Sequence, residues 1–265
     1  MTRVNIGDVE LNVLMEGTGR PLLFVHGFPL DHTMWRGQIE QFSRTHHVIA
    51  PDLRGFGQSG VTPGTVTMAQ FAEDLARMLD RLGLTEPVCF CGLSMGGAIA
   101  WQFFQRHRSR VRSLIACDAR ALPDTPEGRQ TRYKLADRVL AEGPEFVAAT
   151  MPERLFSRGT RAEKPDLVAD VQAVIRRTAP DGIAAGARGL GERPDMTGFL
   201  PQIDVPTLLI VGEEDVISTV DEMRSIAAAI PGAEFVPVAG AGHMAPLEEP
   251  DMVNAAIEEF LKRTG

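Results

Sequence analysis

The stretch Val88-Cys89-Phe90-Cys91-Gly92-Leu93-Ser94-Met95-Gly96-Gly97-Ala98-Ile99-Ala100-Trp101-Gln102-Phe103 sets the fold of this chain. Val88 to Cys91 is an unbroken apolar run between Pro87 and Gly92, the pattern of a strand covered on both faces. Ala98 to Phe103 reads as a helix. Between them, Gly92 to Gly96 is a G-x-S-x-G turn in the strand–turn–helix setting of a nucleophile elbow. Crowding dictates the glycines. A turn this tight brings the residues on either side of Ser94 together, and a Cβ at Gly92 or Gly96 would obstruct it. The turn lifts the Ser94 hydroxyl clear of the sheet and places it at a helix N-terminus, where the backbone dipole favours negative charge.

Runs of the same kind lie on both sides of the elbow. Leu22 to Val25 is followed by Gly27 and Pro29, and His47 to Ala50 ends at Pro51. Val111 to Cys117 and Pro206 to Val211 complete the set, and Glu234 to Val238 is a further strand-like run. Between them the period changes. Thr67 and Gln70 form a capping-box pattern, then Met68, Phe71, Leu75, Met78 and Leu82 recur at spacings of three and four, ending at Gly83. Alternating strands and helices predict an α/β fold with a doubly wound, mostly parallel sheet. Residues 3–6 and 10–15 are close enough to form an antiparallel hairpin at one edge.

From about Ala119 to Phe199 no buried-strand run occurs. Amphipathic patterns replace it: Tyr133-Leu135-Ala136-Val139-Leu140, Phe146-Val147 and Leu167-Val168-Val171-Val174-Ile175. They predict a helical insertion over the C-terminal edge of the sheet; the alternative is that some of these helices pack on the sheet face. The expected organisation is a core of residues 1–118 and 200–265 with a helical cap, or lid, at 119–199.

The chain has 265 residues and is 44% hydrophobic and 23% charged, the composition of a globular protein. Its net charge of -8, with scattered Lys and Arg, offers no electrostatic footprint for nucleic acid. No apolar run reaches the length of a membrane span. The N-terminus, Met1-Thr2-Arg3-Val4-Asn5-Ile6-Gly7, alternates like a strand and lacks the apolar core of a signal peptide. A cytoplasmic location is expected. Cys89, Cys91 and Cys117 are odd in number and lack zinc spacing, so they read as small buried hydrophobes.

A serine hydroxyl needs a base to attack at neutral pH. His243, in the Gly-rich loop Ala239-Gly240-Ala241-Gly242-His243-Met244, is the only histidine after the insertion. A base needs an acid to fix its tautomer. Asp215, just past the strand ending at Val211, is the leading candidate. Asp118, at the end of the strand Val111 to Cys117, is its rival, and Glu213 and Glu214 read as solvated neighbours. Acyl transfer also needs donors for the developing oxyanion. The Met95 and Phe28 amides are the expected pair; Pro29 has no N–H, and His26 is expected to hold its loop by hydrogen bonds.

These stretches together resemble the α/β-hydrolase family over nearly the whole chain. The resemblance rests on His26-Gly27-Phe28-Pro29-Leu30-Asp31, Asp52-Leu53-Arg54-Gly55-Phe56-Gly57-Gln58-Ser59, the elbow, Gly212-Glu213-Glu214-Asp215 and Gly242-His243-Met244. It implies a mostly parallel eight-stranded sheet with a cap inserted after the sixth strand, and the chain order Ser94, Asp215, His243 for the catalytic residues. It also implies a structural turn at Asp52 to Ser59, with Arg54 ion-paired. Within the family the chain is similar to small esterases, enol-lactonases of the 3-oxoadipate type and cofactor-free haloperoxidases. Haloalkane dehalogenases and epoxide hydrolases place an aspartate where this chain has Ser94.

The expected chemistry is hydrolysis of a small carboxylic ester or lactone through an acyl-serine intermediate, with no metal or organic cofactor needed. A perhydrolase in which peroxide replaces water, carbon–carbon bond hydrolysis, and a slow-turnover ligand sensor are alternatives at the same site. Phe28, Trp35, Met95, Leu122, Phe146, Met151, Phe156 and Met244 are candidates for the pocket lining, with ordinary core packing the competing reading for the aromatics and methionines of the insertion.

Overall fold

The computed structural model describes residues 1–264. Its strands are β1 (Thr2–Asn5), β2 (Glu10–Glu16), β3 (Pro21–Val25), β4 (His47–Pro51), β5 (Val88–Leu93), β6 (Val111–Cys117), β7 (Thr207–Gly212) and β8 (Glu234–Val238). They form one eight-stranded sheet in the order β1-β2-β4-β3-β5-β6-β7-β8. Only β2 runs against its neighbours; β4, β3, β5, β6, β7 and β8 pair in parallel. The edge hairpin is therefore β1–β2, as its short connection requires. Every residue of β3, β5 and β7 is buried, which is why these strands read as continuous apolar runs rather than alternating ones.

The helices are α1 (Arg36–Phe42), α2 (Met68–Arg81), α3 (Met95–Arg106), α4 (Pro126–Glu142), α5 (Glu145–Thr150), α6 (Pro152–Leu155), α7 (Arg158–Glu163), α8 (Pro165–Arg177), α9 (Pro180–Gly191), α10 (Val220–Ala229), α11 (Ala245–Glu248) and α12 (Pro250–Thr264). The α2 helix buries Met68, Phe71, Leu75 and Met78 on one face, as its periodicity predicts. Its capping box is half closed. Thr67 Oγ1 accepts from the Gln70 amide at 3.1 Å, but the Gln70 side chain turns to Asp74 at 2.9 Å instead of reaching back.

Six helices, α4 to α9, lie between β6 and β7, where the helical insertion was expected. The α9 helix meets the core at Gly182, where a Cβ would run into the backbone of Gly55. The Asp52–Ser59 turn is held by buried charge. Arg54 donates Nε and Nη2 to both oxygens of Asp74 at 2.7 Å and reaches Asp8 at 2.7 Å. Asp52 accepts from Asn12, Gln58 and His32; burial disfavours its charge, but these bonds outweigh that and hold the carboxyl well below the usual range. All three cysteines are free and buried, and burial pushes the Cys89 thiol up to about 11. Among the described residues, no helix is long and apolar enough to cross a membrane.

The fold gathers the chemistry at one edge. The segments leaving the C-terminal ends of β3, β5, β6, β7 and β8 carry Phe28, Ser94, Asp118, Asp215 and His243 in turn. The carboxyl ends of parallel strands are where such sheets bind ligands.

Candidate active site

Ser94 follows β5 and caps α3 with φ 54° and ψ -106°, a conformation L-residues adopt only under constraint. Its amide donates to Cys117 O at 2.9 Å, and its carbonyl accepts from Ala98 at 3.0 Å. A Cβ on Gly92 would collide with the Gly96 backbone, so the crowding read from the sequence is present.

His243 Nε2 lies 2.8 Å from Ser94 Oγ, and His243 Nδ1 lies 2.8 Å from Asp215 Oδ2. The imidazole and the carboxyl are both buried. Asp215 Oδ1 accepts from the amides of Ile217 at 2.7 Å and Ser218 at 3.0 Å, so the turn after β7 clamps the carboxyl in place. With a carboxylate on Nδ1, the proton sits on that nitrogen and Nε2 is left to accept from the serine.

Glu248, absent from the sequence reading of the site, holds the histidine loop. Its Oε1 accepts from the amides on either side of His243, Gly242 at 2.8 Å and Met244 at 3.2 Å. Its Oε2 accepts from Ser157, between α6 and α7, at 2.8 Å. The group is fully buried.

Asp118 is also fully buried, at φ 48°. Its Oδ1 accepts from Gly212 at 2.8 Å, and its Oδ2 has no partner. Burial, reinforced by the negative charge of Asp215, raises its pKa well above the ordinary carboxylate range. Glu213 and Glu214 are exposed. The donor atoms of Asp118, Asp215 and His243 lie within 4.8 Å of one another, a spacing that could hold a cation. Both nitrogens of His243 and both oxygens of Asp215 are already hydrogen-bonded, which leaves only Asp118 Oδ2 uncommitted.

The loop after β3 lies against the serine. A Cβ built on Gly27 would stand 3.5 Å from Ser94 Cβ. Among the described residues, neither the Phe28 nor the Met95 amide donates to a protein acceptor. His26 ties this loop down: Nε2 accepts from Leu53 at 2.9 Å and Nδ1 donates to Gly27 O at 3.0 Å. Burial lowers its pKa and keeps it neutral.

Ser94 and His243 open into a cavity of ≈ 570 Å³ between the sheet edge and the helical segment. Of the residues expected to line it, Phe28 and Met151 do. The others are elsewhere. Trp35 is fully buried against Phe24, with ring centroids 5.0 Å apart. Met95 turns its side chain into the core and offers only its amide. Met244 is fully buried, and Phe156 is buried with its backbone against Gly242. Leu122 is exposed, and Phe146 packs under the Arg138 guanidinium at 3.9 Å. The cavity wall instead carries one face of α4, Gly128, Thr131, Arg132 and Leu135, with Arg120, Arg154 and Arg193.

Known proteins share this arrangement of chain. The model of the alpha/beta hydrolase fold family matches residues 20–250. The 3-oxoadipate enol-lactonase 2 of Acinetobacter baylyi is 29% identical over 97% of this chain and 94% of its own length. A solved thermophilic esterase from Thermogutta terrifontis, with malate bound, is similar at TM-score 0.96 and 43% identity, over 99% of this chain and 98% of that one. An enol-lactonase from Burkholderia xenovorans is similar at TM-score 0.92 and 27% identity, over 98% of this chain and all (100%) of that one.

Proposed function

The chain belongs to the α/β-hydrolase fold family, and from that premise we propose that it is a serine hydrolase of small carboxylic esters or lactones. The observation that carries this reading is the unbroken chain Asp215–His243–Ser94, with both links at 2.8 Å, at the floor of a cavity. The relatives named as esterase and enol-lactonase support the bond type.

In the proposed reaction His243 Nε2 takes the Ser94 proton as Oγ attacks the carbonyl carbon. Asp215 stabilises the imidazolium that forms. The Phe28 and Met95 amides, free of protein acceptors, receive the oxyanion. His243 then returns the proton to the leaving alkoxide, and the ester C–O bond breaks. Water, deprotonated by the same nitrogen, attacks the acyl-serine and releases the acid. The α4–α9 segment is the cap that encloses the substrate over this edge. A lactone follows the same steps with its alcohol still tethered.

The test is multiple-turnover hydrolysis of short p-nitrophenyl esters by the wild type and by Ser94→Ala. Sustained turnover that vanishes in the variant is expected. Equal rates in both proteins would remove Ser94 from the role of nucleophile, and a single burst without turnover would favour a sensor.

A further inference from the structure

Four arginines line the cavity above Ser94: Arg120, Arg132, Arg154 and Arg193. Their partners do not balance them. Asp124, the only carboxylate on the wall among the described residues, takes Arg193 at 2.7 Å, Arg132 at 3.1 Å and Arg120 at 3.6 Å. Glu222 takes Arg120 Nε at 2.8 Å. Among the described residues, Arg154 pairs with no carboxylate. Four guanidinium charges thus face two carboxylates, leaving two positive charges in excess within a chain whose net charge is -8.

A purely structural network would not need this excess. One carboxylate shared by three guanidinium groups uses few of their donors: Arg132 gives Asp124 only its Nε. Arg193 is the anchor, with its side chain 6% exposed and its Nε on Leu122 O at 2.9 Å. Burial pulls its pKa down to about 10, which still leaves it charged at neutral pH. Arg132 and Arg154 keep donors free and face the same space as Ser94 and His243. Arg154 is exposed and Arg132 half-buried, so water screens part of their charge, but both present unclaimed donors to the cavity that holds Ser94 and His243.

We propose that the substrate carries a free carboxylate, which Arg132 and Arg154 hold while its ester or lactone carbonyl lies at Ser94; this rests on the serine-hydrolase reading above. The guanidinium fork matches a carboxylate edge-on, so the pair orients the substrate as well as attracting it. Asp124 keeps Arg132 from collapsing onto other acceptors.

The experiment compares matched substrates by pH-stat. Monomethyl glutarate is set against its neutral amide, methyl 4-carbamoylbutanoate, and O-acetylglycolate against O-acetylglycolamide. The two pairs place the charge on the acyl or the alcohol side. The wild type is expected to prefer the carboxylate in one pair by about tenfold or more in kcat/KM, the size of one charged hydrogen bond. That ratio should shrink in Arg132→Gln and in Arg154→Gln, and with added salt. Circular dichroism checks the fold of each variant. Binding supplies a readout free of turnover: calorimetry of glutarate and glutaramide with Ser94→Ala, alone and combined with either arginine change. Ester turnover without charge preference, together with no glutarate binding, would overturn the anion site and leave the hydrolase reading standing. Glutarate binding that depends on the arginines, with no ester turned over, would support the anion site and count against the hydrolase. A preference that survives both arginine changes would overturn the assignment of these residues.

Discussion

Asp118 and Asp215 are neighbouring buried carboxyl groups with opposite surroundings. Asp215 takes His243 Nδ1 and two backbone amides, whereas Asp118 takes one amide and leaves Oδ2 without a partner. A single donor in a dry site favours the neutral form of Asp118. The two acids that compete in the sequence are separated by this difference. Asp215→Asn should present an amide N–H to His243 Nδ1, force the proton onto Nε2 and lower kcat roughly ten-thousand-fold with the fold intact. Asp118→Asn keeps an oxygen for the Gly212 amide and removes no hydrogen bond to His243, so it should cost less than about tenfold. Steady-state kinetics of both variants decide the matter, and the reverse ranking would move the acid to Asp118.

The same contrast predicts a pH dependence of stability. The Asp118 pKa is raised in the folded state, by burial first and by Asp215 second. Between the ordinary carboxyl pKa of about 3.9 and the raised value, the native state therefore binds more protons than the unfolded state. Stability is lost as pH climbs through that window, and Asp118→Asn removes this contribution. Thermal melts from about pH 4 to pH 8 should show the variant gaining on the wild type as pH rises. Parallel curves would mean that Asp118 is charged in the fold.

Glu248 holds the His243 loop from outside the cavity lining. Glu248→Gln keeps the shape but turns an N–H toward the Ser157 or Gly242 amide. The loss of one charged hydrogen bond should lower stability by about 2 kcal/mol. It should also lower kcat on a neutral ester more than it raises KM, because the imidazole loses alignment while the cavity keeps its walls. An unchanged kcat in a destabilised protein would limit Glu248 to a structural role.

Asp124 is the common counter-charge of the arginine wall. Asp124→Asn should destabilise by about 2–3 kcal/mol, the cost of stranding a buried guanidinium, discounted because Arg120 and Arg132 are partly exposed. For a chain of this size that lowers Tm by roughly 4–10 °C. A melt within a degree of the wild type would mean that solvent, not Asp124, neutralises Arg193.

The parts legible in the sequence are those where backbone geometry dictates residue type. The elbow requires glycine where Gly92 meets Gly96, and strands covered on both faces show up as apolar runs. The pocket was less legible. A large apolar residue such as Trp35 or Phe156 has the same sequence appearance in a core or in a cavity wall, and here both are core. The arginines carry no signal in the sequence, since only the folded chain brings residues 120, 132 and 193 onto Asp124. The faint signal available was the α4 spacing of Gly128, Thr131, Arg132 and Leu135, one helix face that mixes apolar and charged groups. Glu248 left no mark at all, because its donors are backbone amides.

The carboxyl of Glu248 is shared between two parts of the molecule. One oxygen belongs to the histidine loop and the other to Ser157, between α6 and α7. A Cβ on Gly242 would stand 2.6 Å from the Ser157 amide nitrogen, so the two segments touch directly as well. The helical segment cannot lift at this point without stranding a buried carboxyl and loosening the base. Warming a solution of the protein should therefore silence it before it melts: turnover ends when the Glu248–Ser157 contact parts, while the sheet is still intact.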